Sequence, residues 1–181
     1  MGARAKSKRT SSKRKQDDPL KLASAVSDRV EFEDIRLLRS RCQQTPDLLG
    51  SGQQTVQWGT HVDTHVDPET GRIFVLPSFR MQAHRADGDP KELSVEVGAA
   101  FMLVYRADSL SGLTDENYEK FGSINGVYNA WPYWREFVQN TIARMGLPRL
   151  LAPVHRVGAP RRKAPRKRPS SARTRKTNTK G

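Results

Sequence analysis

Val56-Gln57-Trp58-Gly59-Thr60-His61-Val62-Asp63-Thr64-His65-Val66-Asp67 alternates strictly, with Val, Trp, Thr, Val, Thr and Val on even positions and Gln, Gly, His, Asp, His and Asp on odd ones. A period of two sends successive side chains to opposite faces of a strand, so residues 56–66 predict a β-strand with one buried and one wetted face. β-branched and aromatic groups on the buried side suit a pleated surface. Asp67-Pro68-Glu69-Thr70-Gly71 supplies the residues of a turn, after which Ile73, Val75, Phe79 and Met81 resume the alternation in another strand. Pro77 inside that strand predicts an edge position or a bulge, because proline has no N–H for a central ladder.

The same reading extends outward in both directions. Val30-Glu31-Phe32 opens an alternation whose apolar phase slips by one to Ile35 and Leu37, as a β-bulge would make it, so residues 29–39 predict a first strand. A second turn, Asp87-Gly88-Asp89-Pro90, leads to the longest strand, with Leu93, Val95, Val97, Ala99, Phe101, Leu103 and Tyr105 on one face. Its even positions 98–104 are also small or apolar, which predicts cover on both sides. Asp18-Pro19 offers an N-cap and a first-turn proline for a short helix to about Val26. From Thr114 the period turns helical around Tyr118 and Phe121, with Gly122 and Gly126 interrupting. In the last helix, Pro132 is expected near the first turn, Trp134, Val138 and Met145 form a stripe, and Gly146 and Pro148 end it. The fold class is α+β, a four-stranded antiparallel β-meander followed by helices.

The net charge of +13 on 181 residues suggests a nucleic-acid-binding fold until the charges are located. Residues 1–16 hold seven Lys/Arg and residues 158–181 hold ten, neither with an acid. Positions 17–157 carry 15 basic and all 19 acidic residues, a net of −4. Segments 1–17 and 158–181 are rich in Lys, Arg, Ser, Pro and Gly and predict disordered basic tails flanking one domain at 18–157. The single Cys42 excludes an internal disulfide and reads as structural. No apolar run reaches the ~18–20 residues of a membrane span, so no membrane insertion is expected and the chain reads as cytoplasmic.

The residue patterns that would carry chemistry are weak. His61 and His65 would share one face of a helix, but in a strand four residues separate them by about 13 Å, beyond the ~4 Å that two ligands of one zinc span. They read as solvent-face residues. Phosphate-binding loops, Gly-x-Gly-x-x-Gly and Gly-x-Ser-x-Gly are absent, no cofactor is implied, and the chain reads as a binding protein rather than an enzyme. Tyr128, Trp131, Tyr133, Trp134 and Phe137 read chiefly as core or an oligomer interface.

Trp131-Pro132-Tyr133-Trp134-Arg135-Glu136, then Gly146-Leu147-Pro148, then Leu151-Ala152-Pro153-Val154 resembles the SecB family of protein-export chaperones. Members carry an aromatic-Pro-Tyr-x-Arg-Glu helix start, a Gly-x-Pro break and a Leu-Ala-Pro-Val-like tail in this order. The resemblance covers roughly residues 24–157 and implies a homotetramer, a dimer of dimers, that holds unfolded preproteins without ATP in apolar grooves between sheet and helices. Some SecB-like members instead guard an antitoxin. Carried onto this chain, clients would contact Val56, Trp58 and Val62 on the strand and Trp134 and Val138 on the helix. Export members also dock the motor SecA, partly through acidic residues on the sheet, a set without a residue-by-residue counterpart here. The competing reading is sequence-independent nucleic-acid binding through the tails, whose 17 cations meet no acid.

Overall fold

The computed structural model describes residues 18–45, 54–85 and 93–157, and both basic tails lie outside them. Asp18 caps α1 (Pro19–Ser27) by accepting the Leu20 N–H, with Pro19 in the first turn. Four strands follow: β1 (Val30–Gln44), β2 (Gln54–Asp67), β3 (Arg72–Arg85) and β4 (Leu93–Ala107). They form one antiparallel sheet in the order β1-β4-β3-β2. β2, β3 and β4 are the meander, and β1 lies beside β4 at the opposite edge, which makes the whole a Greek key. The Asp67–Gly71 turn forms as expected: Asp67 accepts from Glu69 N at 3.0 Å and Thr70 Oγ1 at 2.5 Å, and Gly71 takes a φ of 67°. The Thr70 hydroxyl holds the Asp67 carboxyl below its ordinary pKa.

The phase slip in β1 is a real irregularity, since its register against β4 shifts between Phe32 and Asp34, and again between Leu37 and Arg39. β1 runs five residues past the predicted end, because Ser40 to Gln44 are held by backbone pairing to Ala99–Val95 rather than by apolar side chains. Two expectations are corrected. Pro77 lies in a central strand, opposite Val62 and fully buried; the β3–β4 ladder lapses around it while keeping register, so the missing N–H is absorbed there. Nor is β4 covered on both sides. Helices cover only the inner, odd face, and Ala100 and Val104 on the outer face are shielded by longer side chains of neighbouring strands.

Three helical segments close the inner face: α2 (Asp115–Phe121), a π-helical turn (Gly122–Gly126) and α3 (Val127–Arg144). Thr114 and Asn117 form a reciprocal capping box at the start of α2, and Asn117 Nδ2 also donates to Leu22 O at 3.1 Å, pinning α1 to α2. Gly122 and Gly126 do not break the helix; they let it touch the sheet. A Cβ on Gly126 would lie 2.5 Å from Val75 Cγ1, and one on Gly122 would overlap the Thr64 hydroxyl. The π turn places both glycines over the strands. α3 begins five residues before Pro132, which therefore sits inside the helix with its ring exposed, forfeiting one i→i−4 bond. The core is aromatic: Trp134 stacks on Phe79 at 5.6 Å, and Tyr105 meets Phe121 edge-on at 5.0 Å. Burial pushes the Tyr105 phenol up to about 12, although the Asn129 amide hydrogen-bonds its oxygen.

Candidate client groove

Inward-facing residues of β2 are only half-buried, because β2 is an edge strand and the helices reach just over it. A groove of about 770 Å³ runs between this strand and α2. Val62 and Val66 from β2 and Val127 from α3 form its apolar floor, Thr64 and Tyr118 its walls, and Asp63, Asp115 and Glu119 an acidic rim. Tyr118 is itself shifted upward in pKa, by burial first and the nearby Asp115 charge second. Val56 and Trp58 continue the apolar line along β2 beyond the groove, both half-buried, with the Trp58 ring edge-on to Trp134 at 6.4 Å.

Of the five residues expected to meet clients, Val56, Trp58 and Val62 lie on this one line. Trp134 and Val138 do not lie on the surface at all. Each is 1% exposed, since the α3 stripe that carries them is the face packed on β3 and β4, and this conformation offers a client nothing of either side chain. The five-aromatic cluster divides likewise: Trp131 and Trp134 are buried, Phe137 is half-buried, and Tyr128 and Tyr133 are exposed. Sequence reasoning missed Val66, Tyr118, Val127 and His155. Val66 belongs to the alternation already read, but the α2 and α3 contributors are brought to β2 by tertiary packing that no local pattern announces.

The C-terminal motif residues close one end of the groove. Gly146, with φ 69°, ends α3 in a Schellman arrangement: its N–H donates to Ala143 O at 3.1 Å, and Leu147 N–H donates to Ile142 O at 3.2 Å. Pro148 follows where the helix has stopped. The chain then turns back along α3, burying Ala152 and accepting the Trp131 Nε1–H on Pro153 O at 2.9 Å. His155 lies against the Trp131 ring at 5.2 Å and lines the groove, and burial lowers its pKa. Arg135 Nε is buried without a partner among the described residues, while Glu136 accepts from Asn140 on the exposed side of α3. Pro132 and Tyr133 are exposed beside it.

Elsewhere, His61 and His65 point outward from β2, with His61 Nε2 3.3 Å from Asp63 Oδ1. Among the described residues no three His, Cys, Asp or Glu side chains are placed to share a metal. Cys42, read as structural, is exposed on β1, where no helix among the described residues covers the strand. No helix among the described residues is long and apolar enough to cross a membrane.

No protein-family model matches the chain. It is 26% identical over 149 residues to the SecB-like chaperone Rv1957 of Mycobacterium tuberculosis (strain ATCC 25618 / H37Rv), with 74% of this chain and 81% of the relative covered. The same figures hold for the SecB-like chaperone MT2006 of strain CDC 1551 / Oshkosh. Among solved structures, Mycobacterium tuberculosis Rv1957 in complex with a ChAD peptide from the Rv1956 HigA1 antitoxin has the same fold, with a TM-score of 0.65 at 19% identity over 75% of this chain and 97% of that one. In sequence and in fold, the chain is similar to SecB-like chaperones.

Proposed function

We propose that this protein is an ATP-independent holdase of the cytoplasm that keeps an unfolded client, a preprotein or an antitoxin, from aggregating. The observation that carries the reading is the apolar line Val56-Trp58-Val62-Val66 on the inner side of an edge strand, beside a groove whose far wall is helical. An edge strand has unpaired backbone N–H and C=O groups, so an extended client can add main-chain hydrogen bonds while its side chains enter the apolar line. Such bonds are indifferent to sequence, as a holdase requires. The likeness to Rv1957, whose solved complex contains an antitoxin peptide, favours an antitoxin as the client here.

A homotetramer built as a dimer of dimers belongs to the same reading. Phe32 and Leu37 on the uncovered inner side of β1, with Tyr128 and Tyr133 on α3, are the exposed apolar groups from which such contacts would be made. Docking on SecA is less well supported, because the open part of the outer sheet face carries Arg39, Arg41 and Arg80, the opposite sign from the acidic set that such docking implies, while Glu31 and Glu33 at its other end are paired with Arg106 and Arg72.

The full-length protein should suppress aggregation of a chemically unfolded client at near-stoichiometric ratio without ATP, and light scattering identical to the buffer control would sink the proposal. Trp58→Asp should lose most of this protection while keeping the far-ultraviolet spectrum of the folded chain, because capture rests on burying apolar surface at roughly 25 cal/mol per Å².

The basic ends favour a second, compatible reading, sequence-independent association with nucleic acid. Removing residues 1–16 and 158–181 should abolish retention on duplex DNA at low salt and leave client protection intact. Retention by the full chain should fall with salt at a log–log slope of roughly −0.9 per phosphate contact; a salt-insensitive interaction would remove this reading.

A further inference from the structure

One rung across the outer face of the sheet reads Arg41, Gly98, Arg80, Gly59 on β1, β4, β3 and β2. Two glycines in the middle of long strands weaken the strands that contain them and ordinarily mark a bulge, a bend or the close approach of another chain. Here the first two reasons are missing. Neither glycine has a positive φ, and neither coincides with a register shift. Internal crowding does not require them either: a Cβ on Gly98 would sit 3.6 Å from Phe79 O, and one on Gly59 would be 4.0 Å from the Arg80 side chain, both ordinary contacts. Close approach from outside remains.

The glycines floor an open trough of about 630 Å³, flanked on one side by the rung Arg39, Ala100, Ser78, His61 and on the other by Gln43, Glu96, Gln82, Gln57. Arg39 and Arg80 make no ion pair or side-chain hydrogen bond among the described residues. Arg41 Nη2 donates to Gln43 Oε1 at 2.9 Å and stands 4.0 Å from the one nearby carboxylate, Glu96. Asp63 is turned to His61 and Asp34 to Arg36. Among the described residues three guanidiniums therefore face the trough against one carboxylate, and the trough selects an anion. Its other end of the sheet is different: Glu31 and Glu33 neutralise Arg106 and Arg72 there at 2.6 and 3.0 Å.

Dimensions choose among anions. Arg41 and Arg80 are two strand spacings apart, about 10 Å, with Arg39 about 7 Å along the strand from Arg41. The flanking rungs are separated by only about 13–14 Å from backbone to backbone, room for one extended chain but too narrow for a duplex to reach the floor. A single nucleic-acid strand would seek Phe, Tyr or Trp rings for its bases, and among the described residues none of these faces the trough, since the Phe79 ring is buried beneath it and the one ring on its flank is the His61 imidazole. Three strand spacings, about 14 Å, correspond to about four to five residues of extended peptide. We propose that this trough binds an extended acidic peptide segment of a partner protein, its backbone laid over Gly98 and Gly59 and its carboxylates paired with Arg39, Arg41 and Arg80. The site lies on the face opposite the client groove and does not depend on the holdase reading.

Full-length protein titrated with fluorescein-labelled hexaglutamate at physiological salt tests it by anisotropy. The basic tails also attract such a peptide, so the deciding variant leaves charge unchanged: Gly98→Val fills the floor and should weaken binding severalfold. The double variant Arg41→Ala, Arg80→Ala should weaken it by about tenfold or more, because two charge-assisted contacts are lost. Should Gly98→Val fail to fold, Gly59→Thr makes the same intrusion from the next strand but one. Affinity within about twofold of wild type for the floor and arginine variants alike would overturn the proposal. So would an oligothymidylate of equal charge that binds with the same losses, since that would make the trough a phosphate site.

Discussion

The two faces of this sheet use one alternation of residues for opposite ends. On the inner face, Phe79, Met81, Val97, Leu103 and Tyr105 are sealed under α2, the π turn and α3, and the helices come close enough that Gly122 and Gly126 are needed where they touch. On the outer face, Arg80, Gly98 and Arg41 alternate across the strands with no layer above them among the described residues. Glycine is the instructive residue, because both faces use it and for different reasons. Inside, it lets the helix backbone meet the Thr64 and Val75 side chains; outside, nothing among the described residues demands it.

A single substitution made on each face tests that difference directly. Gly126→Val drives a branched side chain into Val75 and should destabilise the protein by about 1–3 kcal/mol or more, as overpacking of a tight core does. At Gly98 a Cβ meets only ordinary contacts and valine is a good strand former, so Gly98→Val should be neutral or stabilising by up to about 1 kcal/mol. Urea unfolding of the two variants beside the parent reads both. Equal destabilisation would mean that the outer glycine also has a packing role, and the contrast between the faces would collapse.

Much of this division was legible in the sequence. The even and odd positions of 56–66 assigned the two faces of β2 before any neighbour was known, and the phase slip at Ile35 marked the β1 bulge. What stayed hidden was long-range. Pro77 was expected at an edge or a bulge because local rules know the missing N–H but not that the β3–β4 ladder lapses to accommodate it. Trp134 and Val138 were expected to face a client because the SecB resemblance puts clients between sheet and helices, and a stripe at helical spacing shows that one side is apolar without showing what it packs on. The Arg41-Gly98-Arg80-Gly59 rung draws one residue from each of four strands, so it exists only once the register is known. Gly122 and Gly126 read as interruptions because propensity counts the cost of glycine and not the strand lying against it.

The smallest expected effect lies at the rim, where the inner face passes into solvent. There the C-terminal segment is held by the Trp131 indole on Pro153 O and by His155 against the same ring. Burial lowers the His155 pKa below its ordinary 6.5, so on acidification the released segment takes up its proton before the docked one does. Docking is therefore fully favourable above about pH 6.5 and weakens as pH falls from there towards the docked pKa, the sense required when the open state binds more protons. The Trp131 indole N–H resonance should shift and broaden between pH 7.5 and 5.5 as its bond to Pro153 loosens. The buried Trp134 resonance should stay in place as an internal reference. His155→Gln should flatten the Trp131 response, which separates this imidazole from Asp63, His65, Asp115 and Glu119, the other acidic and imidazole side chains lining the same groove. A Trp131 shift that persists in His155→Gln would assign the pH response to those groups, and a resonance unmoved in the parent would show that the segment stays docked whatever the charge on His155.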